Sequence, residues 1–208
     1  MQDVRNDRPG GRVVGLWRYP VKSMAAEALA EVDVSWHGLA GDRRWAFIRS
    51  DVPRSGFPWL TLRQRADLNH YRPAFTEPER PDKSPTVVHT PSGAVLDVTD
   101  PALAAELDPS GIRLIKQDRG IFDTAPLSVV TTQTLARLGE MVGDLRMRID
   151  QRDGRCVVIT IDPATTVRTP EILRTVARER QGCVGVYGAT VTPGRIAIGD
   201  AVVVESPA

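Results

Sequence analysis

Apolar and polar positions alternate with a period of two along much of this chain. Ala30, Val32, Val34 and Trp36 are interleaved with Glu31, Asp33, Ser35 and His37, which predicts a half-exposed strand. Residues 38–41, bounded by Gly38 and Gly41, make a turn, and residues 44–49 return as a second strand with Trp45 and Phe47 inward. Shorter apolar runs predict strands at 13–17, stopped by Tyr19-Pro20, and at 60–64, 112–115 and 127–130. Val87-Val88 and residues 95–98 flank Pro91-Ser92-Gly93, a hairpin signal. Residues 157–161 are apolar and β-branched, end at Asp162-Pro163, and predict a buried strand. Residues 184–204 hold two strand-like runs around Pro193-Gly194, with a further turn at Gly199-Asp200. The proline-rich stretch 73–85 predicts an irregular loop, and the polar residues 1–12 a disordered leader.

Helical spacing is rarer. Asp100-Pro101 has the preferred order for a helix start, an acceptor at the cap and proline at the first position, and the helix should end near Leu107. Thr169-Pro170 repeats that order before Ile172, Leu173, Val176 and Ala177. Leu135, Leu138 and Val142 suit an amphipathic helix closed by Gly143. Many short strands and few helices predict a mainly β chain with a few short helices (α+β), of the barrel kind. A division near residue 98 would separate residues 13–98 from residues 99–208.

Composition narrows the partners. The chain has 208 residues, a net charge of +1 and 25% charged residues, which carries no signature of nucleic-acid or membrane binding. No apolar run approaches the roughly 20 residues that cross a bilayer, and residues 1–11 lack the apolar core of a signal peptide. Two cysteines, with no Cys-x-x-Cys pair, leave no disulfide framework, so reduced thiols in a cytoplasmic protein are expected.

Chemistry concentrates around Cys156. Arg146, Arg148, Arg152 and Arg155 precede it, and positive neighbours favour the thiolate, which is both nucleophile and soft metal ligand. Spacing alone reads Cys156 more readily as a small, inert core residue. Three other clusters join cations or hydroxyls to strand ends: Tyr19-Pro-Val-Lys-Ser23, Gly41-Asp-Arg-Arg-Trp45 and Asp123-Thr-Ala-Pro126. Such groups suit a phosphate or another dianion, although each cluster alone also reads as a solvated turn. His37, His70 and His89 have no metal-ligand spacing, and no phosphate-loop, dinucleotide or nucleophile-elbow pattern occurs.

The order of the clusters is more specific than any one of them. Tyr19-Pro-Val-Lys-Ser23, residues 38–45, Asp123-Thr-Ala-Pro126, residues 155–163 and residues 193–200 together resemble the MOSC family, named for the C-terminal domain of molybdenum cofactor sulfurase. The resemblance runs from Val13 to Val204 and implies a MOSC-type β-barrel with a smaller N-terminal β-barrel-like region. Similarity to the MOSC-type amidoxime reductases implies that Cys156 ligates molybdenum. It also implies that Lys22, Ser23, Arg43, Arg44, Thr124, Arg148 and Arg155 hold molybdopterin. Two departures stand out. Ile149-Asp150 replaces the family's Pro-Asn after Arg148, with Cys156 following almost at once, and Asp153 takes the place of a cysteine found in some relatives.

The function so implied is a two-electron reduction of N-hydroxylated or similarly oxygenated small molecules. With no ferredoxin-like segment after Val204, electrons are expected from a separate reductase. The shortened segment before Cys156 favours the alternative of a non-catalytic cofactor carrier or pseudoenzyme. A sulfur relay carrying a persulfide on Cys156 is the third reading.

Overall fold

The computed structural model describes residues 8–51, 57–131 and 146–204, with residues 8–9 and 146–151 given by their backbone alone. Fifteen strands, two α-helices and two short 3-10 turns of helix make up the described chain. The chain is mainly β, as its alternation predicts.

The first half follows the sequence closely. β1 (Arg8–Arg12) is followed by β2 (Leu16–Arg18), which pairs with β3 (Glu27–Leu29). β4 (Glu31–Ser35) buries Val32 and Val34 and exposes Glu31, Asp33 and Ser35. Trp36 lies just past its end and is exposed. β5 (Gly38–Leu39) folds back on β4. β6 (Trp45–Arg49) pairs with β10 (Ile112–Lys116). The hairpin of β8 (Thr86–His89) and β9 (Val95–Asp97) forms as read. It gains an outer strand, β7 (Arg72–Phe75), from the stretch expected to be loop. Pro73 is tolerated there because β7 is an edge strand with only one neighbour to bond.

α1 (Pro101–Leu107) starts as expected, with the Asp100 carboxylate accepting the Ala102 N–H, and buries Leu103 and Leu107. α2 (Pro170–Arg180) starts at the expected proline, but the Thr169 side chain makes no capping bond. The helix expected around Leu135 lies outside the described residues. In the C-terminal half β13 (Cys183–Thr192) stands between β11 (Leu127–Val129) and β12 (Arg146–Gly154). β12 shifts register three times against β13. A strand at a sheet edge accommodates such bulges, and they twist the edge away from further pairing.

Late strands return to early ones. β14 (Gly194–Ala197) pairs with β4, and β15 (Ala201–Val204) pairs with β1. The expected disordered leader therefore fails from Arg8 onward. The exposed edge of β15 supplies backbone partners that polar side chains do nothing to prevent. Three pairings thus cross the division near residue 98: β1 with β15, β4 with β14 and β6 with β10.

Two apolar clusters hold these sheets together. One joins Val21, Phe47, Leu60, Leu68, Tyr71 and Val88 to Leu103 and Leu107. The other joins Val13, Leu16, Val32 and Val34 to Leu127 and Ile196. Each such side chain contributes about 1.5–3 kcal/mol on burial, so the second cluster ties the chain's two ends firmly.

Candidate functional site

Three segments distant in sequence are knotted by their main chains. The Arg43 N–H donates to the Tyr19 carbonyl at 2.6 Å, Lys22 N–H to Trp45 O at 2.8 Å and Ile121 N–H to Arg43 O at 2.9 Å. The pin of the knot is Asp42, 3% exposed. Its carboxylate accepts the Tyr19 N–H at 2.7 Å and pairs with the Arg43 guanidinium at 2.5 Å. Burial pushes this carboxyl above the ordinary 3.8, outweighing the opposite pull of Arg43 and the Tyr19 amide. Ser23 and Arg43 both sit at positive φ, +69° and +48°, a conformation that costs about 1 kcal/mol or more and persists only where the surroundings impose it.

From this knot a ring of contacts reaches Cys156. Lys22, 7% exposed, donates its ammonium to the Ile121 carbonyl at 3.1 Å and pairs with Asp123. Burial lowers its pKa, helped by the charges of Arg43 and Arg63 and opposed by Asp123. The Lys22 ammonium lies 5.9 Å from the centre of the Phe57 ring, and the Arg63 guanidinium lies 5.2 Å from the same ring. Arg63 then donates to the Cys156 sulfur at 3.3 Å. Arg43 stands nearby over Tyr19 and Phe122, 5.0 and 5.7 Å from their ring centres.

The ring closes through a second cluster. Asp123 and Thr124 are consecutive, as are Arg155 and Cys156. Thr124 faces the Tyr187 hydroxyl, which also faces Asp153 and Arg155. Burial raises the Tyr187 pKa, and the Asp153 charge pushes the same way. Asp153, 1% exposed, pairs with Arg155 at 2.6 Å and accepts from the Ser128 hydroxyl at 2.9 Å. The Arg155 side chain also donates to Val184 O at 2.8 Å. Gly185 makes room for it at φ +84°. A Cβ there would lie 2.7 Å from Val129 O and 3.3 Å from the Arg155 guanidinium. Gly185→Ala should therefore cost about 2 kcal/mol, read from the denaturation midpoint, and detach Arg155 from Val184.

The ring gathers Lys22, Thr124, Arg155 and Cys156, with Arg43 at its side. Arg44 is turned elsewhere: it is bonded to the Asp118 carbonyl and paired with Asp82 at 2.7 Å. Ser23 is half-buried beside Lys22. Arg148 lies on β12 opposite Ala189, and its side chain is outside the described residues.

The strand expected after Cys156 is instead a 3-10 turn, η2 (Val157–Thr160), with Val157 37% exposed and Thr160 buried. β13 is already paired along both edges, by β11 and β12, and of residues 157–161 only Ile161 makes a bridge among the described residues, to Arg168. The Thr160 hydroxyl donates to Val157 O at 2.7 Å and Ile159 N–H to Cys156 O at 3.1 Å. Cys156 is accordingly exposed rather than set at the mouth of a buried strand.

The cation at the sulfur is also not the expected one. Arg152 reaches Gln181 and the Arg180 carbonyl, and Arg155 is held by Asp153. Arg63 comes from residues 60–64, expected as a strand but folded as a turn. There the Gln64 side chain accepts both the N–H and the hydroxyl of Thr61. Thr61-Leu-Arg-Gln64 has the spacing of a capping box, and that signal marked a turn in the sequence.

Models of two domains match the chain: the MOSC N-terminal beta barrel domain over residues 10–98 and the MOSC domain over residues 124–203. The chain belongs to the MOSC family. MOSC domains are associated with molybdenum cofactor binding, and the contact ring draws on both matched regions. No curated protein matches the chain. Among the described residues no three His, Cys, Asp or Glu side chains form a metal-binding group. No helix among the described residues is long and apolar enough to cross a membrane.

Proposed function

We propose that this MOSC protein binds molybdenum cofactor at the ring around Cys156 and reduces N-hydroxylated or similarly oxygenated small molecules. The observation that carries the reading is the exposed Cys156 thiol beside the Arg63 guanidinium, linked across Phe57 to the buried Lys22 ammonium. A soft sulfur ligand, fixed cations and an aromatic face fit a metal on a phosphate-bearing pterin, which brings its own further ligands. When bound, the cofactor supplies two-electron exchange with a substrate oxygen.

The chain's own part is binding and orientation. Cys156 would ligate the metal from the exposed position just before η2. Lys22, Ser23 and Arg43 would hold the phosphate and pterin together with Thr124, Arg148 and Arg155. Asp123 keeps the Lys22 ammonium at its post until an anion competes for it. Asp153 fixes the Arg155 guanidinium in the same way. Arg44 would join only after leaving Asp82. Electrons would come from a separate reductase.

A cofactor carrier is the second reading, favoured by the engagement of Arg44 with Asp82 and the Asp118 carbonyl, away from the ring. Molybdenum and pterin analysis of freshly purified protein, followed by turnover of benzamidoxime with an artificial electron donor, separates the readings. Cofactor with turnover supports the reductase. Cofactor without turnover leaves the carrier, and a protein without either metal or pterin sinks both.

A further inference from the structure

Next to the thiol, η2 and α2 enclose a cleft of about 320 Å³ that the ring of contacts does not use. Its walls are Val157, Thr160, Pro170, Leu173 and Ala177, with Arg168 at the rim. The walls are chemically quiet, because the one hydroxyl among them, on Thr160, is spent on the Val157 carbonyl at 2.7 Å. Ligand sites of roughly 300 Å³ lie at the small end of the range for small molecules, which suits one ring or a short branched chain with a substituent.

Charge narrows the occupant further. Arg174 at the same rim is paired with Glu171. Arg168 has no carboxylate partner among the described residues, and its guanidinium reaches only the carbonyls of Leu62 and Arg63, at 3.5 and 3.4 Å. An apolar wall beside a guanidinium with donors to spare selects an apolar body that carries one carboxylate.

Position ties the cleft to the thiol. Val157 follows Cys156 directly, and Arg63 serves both places, its side chain on the sulfur and its carbonyl on Arg168. Asn69 and His70 hold the Pro163 carbonyl, in the loop between η2 and Arg168. We propose that this cleft binds small aryl or alkyl carboxylates and seats the non-reacting part of the substrate reduced beside Cys156. The role as a substrate seat rests on the reductase reading above; the binding does not.

The test begins with amide spectra of the full ¹⁵N-labelled chain titrated with benzoate, benzyl alcohol and acetate. Benzoate should shift the Val157, Thr160 and Leu173 amides saturably, and more tightly than the neutral ring or the bare anion. Arg168→Gln should weaken benzoate by roughly three- to fivefold, the worth of one partly solvated charge contact, and leave benzyl alcohol unchanged. Ala177→Leu lies on an exposed helix position that tolerates leucine, so it should fold, fill the cleft and remove the binding of both. Benzoate shifts no larger than those of acetate, or insensitive to both variants, overturn the site. The cofactor-loaded protein is then given benzamidoxime and its 4-carboxy analogue, with the carboxylate expected to have the higher kcat/KM and to lose that advantage in Arg168→Gln. Reduction of benzamidoxime with no benzoate binding overturns the cleft alone, whereas benzoate binding without any reduction overturns the reductase reading alone.

Discussion

On the proposed function, replacing Cys156 with serine should abolish molybdenum retention and reductase activity, whereas Cys183→Ser should leave both largely intact. Serine keeps the size of cysteine but puts a hard, rarely ionised oxygen where a soft sulfur stood. The two thiols differ in what surrounds them. Cys156 is exposed and accepts from Arg63 at 3.3 Å. Cys183 is half-buried at the first residue of β13, opposite Gly154, with its sulfur 3.6 Å from the Gln181 carbonyl. Because the Cys156 side chain is exposed and fills no core position, its replacement opens no cavity. The variant should melt within about 0.5 kcal/mol of the parent, as surface substitutions do. Metal analysis decides the matter: a folded Cys156→Ser protein that keeps its full molybdenum content rules out Cys156 as ligand.

Asp42→Ala unfolds the knot that presents Lys22 and Arg43. It strands the Tyr19 N–H, which otherwise donates to Asp42 at 2.7 Å, and an orphaned buried donor costs about 1–3 kcal/mol. The space left by the buried carboxylate adds to this, for a total near 3 kcal/mol and a fall in Tm of roughly 6–12 °C. Asp42→Asn keeps the acceptor and the volume and should cost less than about 1 kcal/mol. Its pH dependence has a definite sign. The Asp42 pKa in the fold lies above 3.8, so the ionised group is less favourable in the fold than in the open chain. That penalty is present at neutral pH. It fades as pH falls through the folded pKa and is gone below 3.8, where both states are protonated. The stability of Asp42→Asn relative to the parent is thus highest near neutrality and declines toward acid. Parallel urea melts at pH 7 and in acid check this, and an Ala variant with the parent's midpoint would remove Asp42 from its structural role.

Local chemistry was legible wherever one residue's neighbours in sequence were also its neighbours in space. The alternation over Glu31–Ser35, the Asp100 cap and the hairpin around Pro91-Ser92-Gly93 are cases in which the pattern, the turn residue and the fold agree. The Lys22, Arg43 and Thr124 segments were legible as cationic or hydroxyl-bearing turns, and their order carried the family. Pairing choices were not. Residues 157–161 have strand propensity, yet β propensity works only through a partner strand, and β13 had none to give. The polar residues 8–12 have little propensity and form a strand because β15 offers an edge.

By itself, then, the sequence determined a mainly β MOSC chain and the set of cationic or hydroxyl-bearing turns that its family order singles out. These depend on residue type and short spacing, which a linear reading contains. Only the tertiary structure decided that the guanidinium at Cys156 is Arg63 and that Arg44 looks away toward Asp82. It also decided that Arg155 is held by Asp153 and that the thiol opens beside an apolar cleft. Each of these joins residues far apart in sequence or sets one charge's partner against several rivals. Such choices are settled by which strands close the sheets and by how much burial each charge must bear.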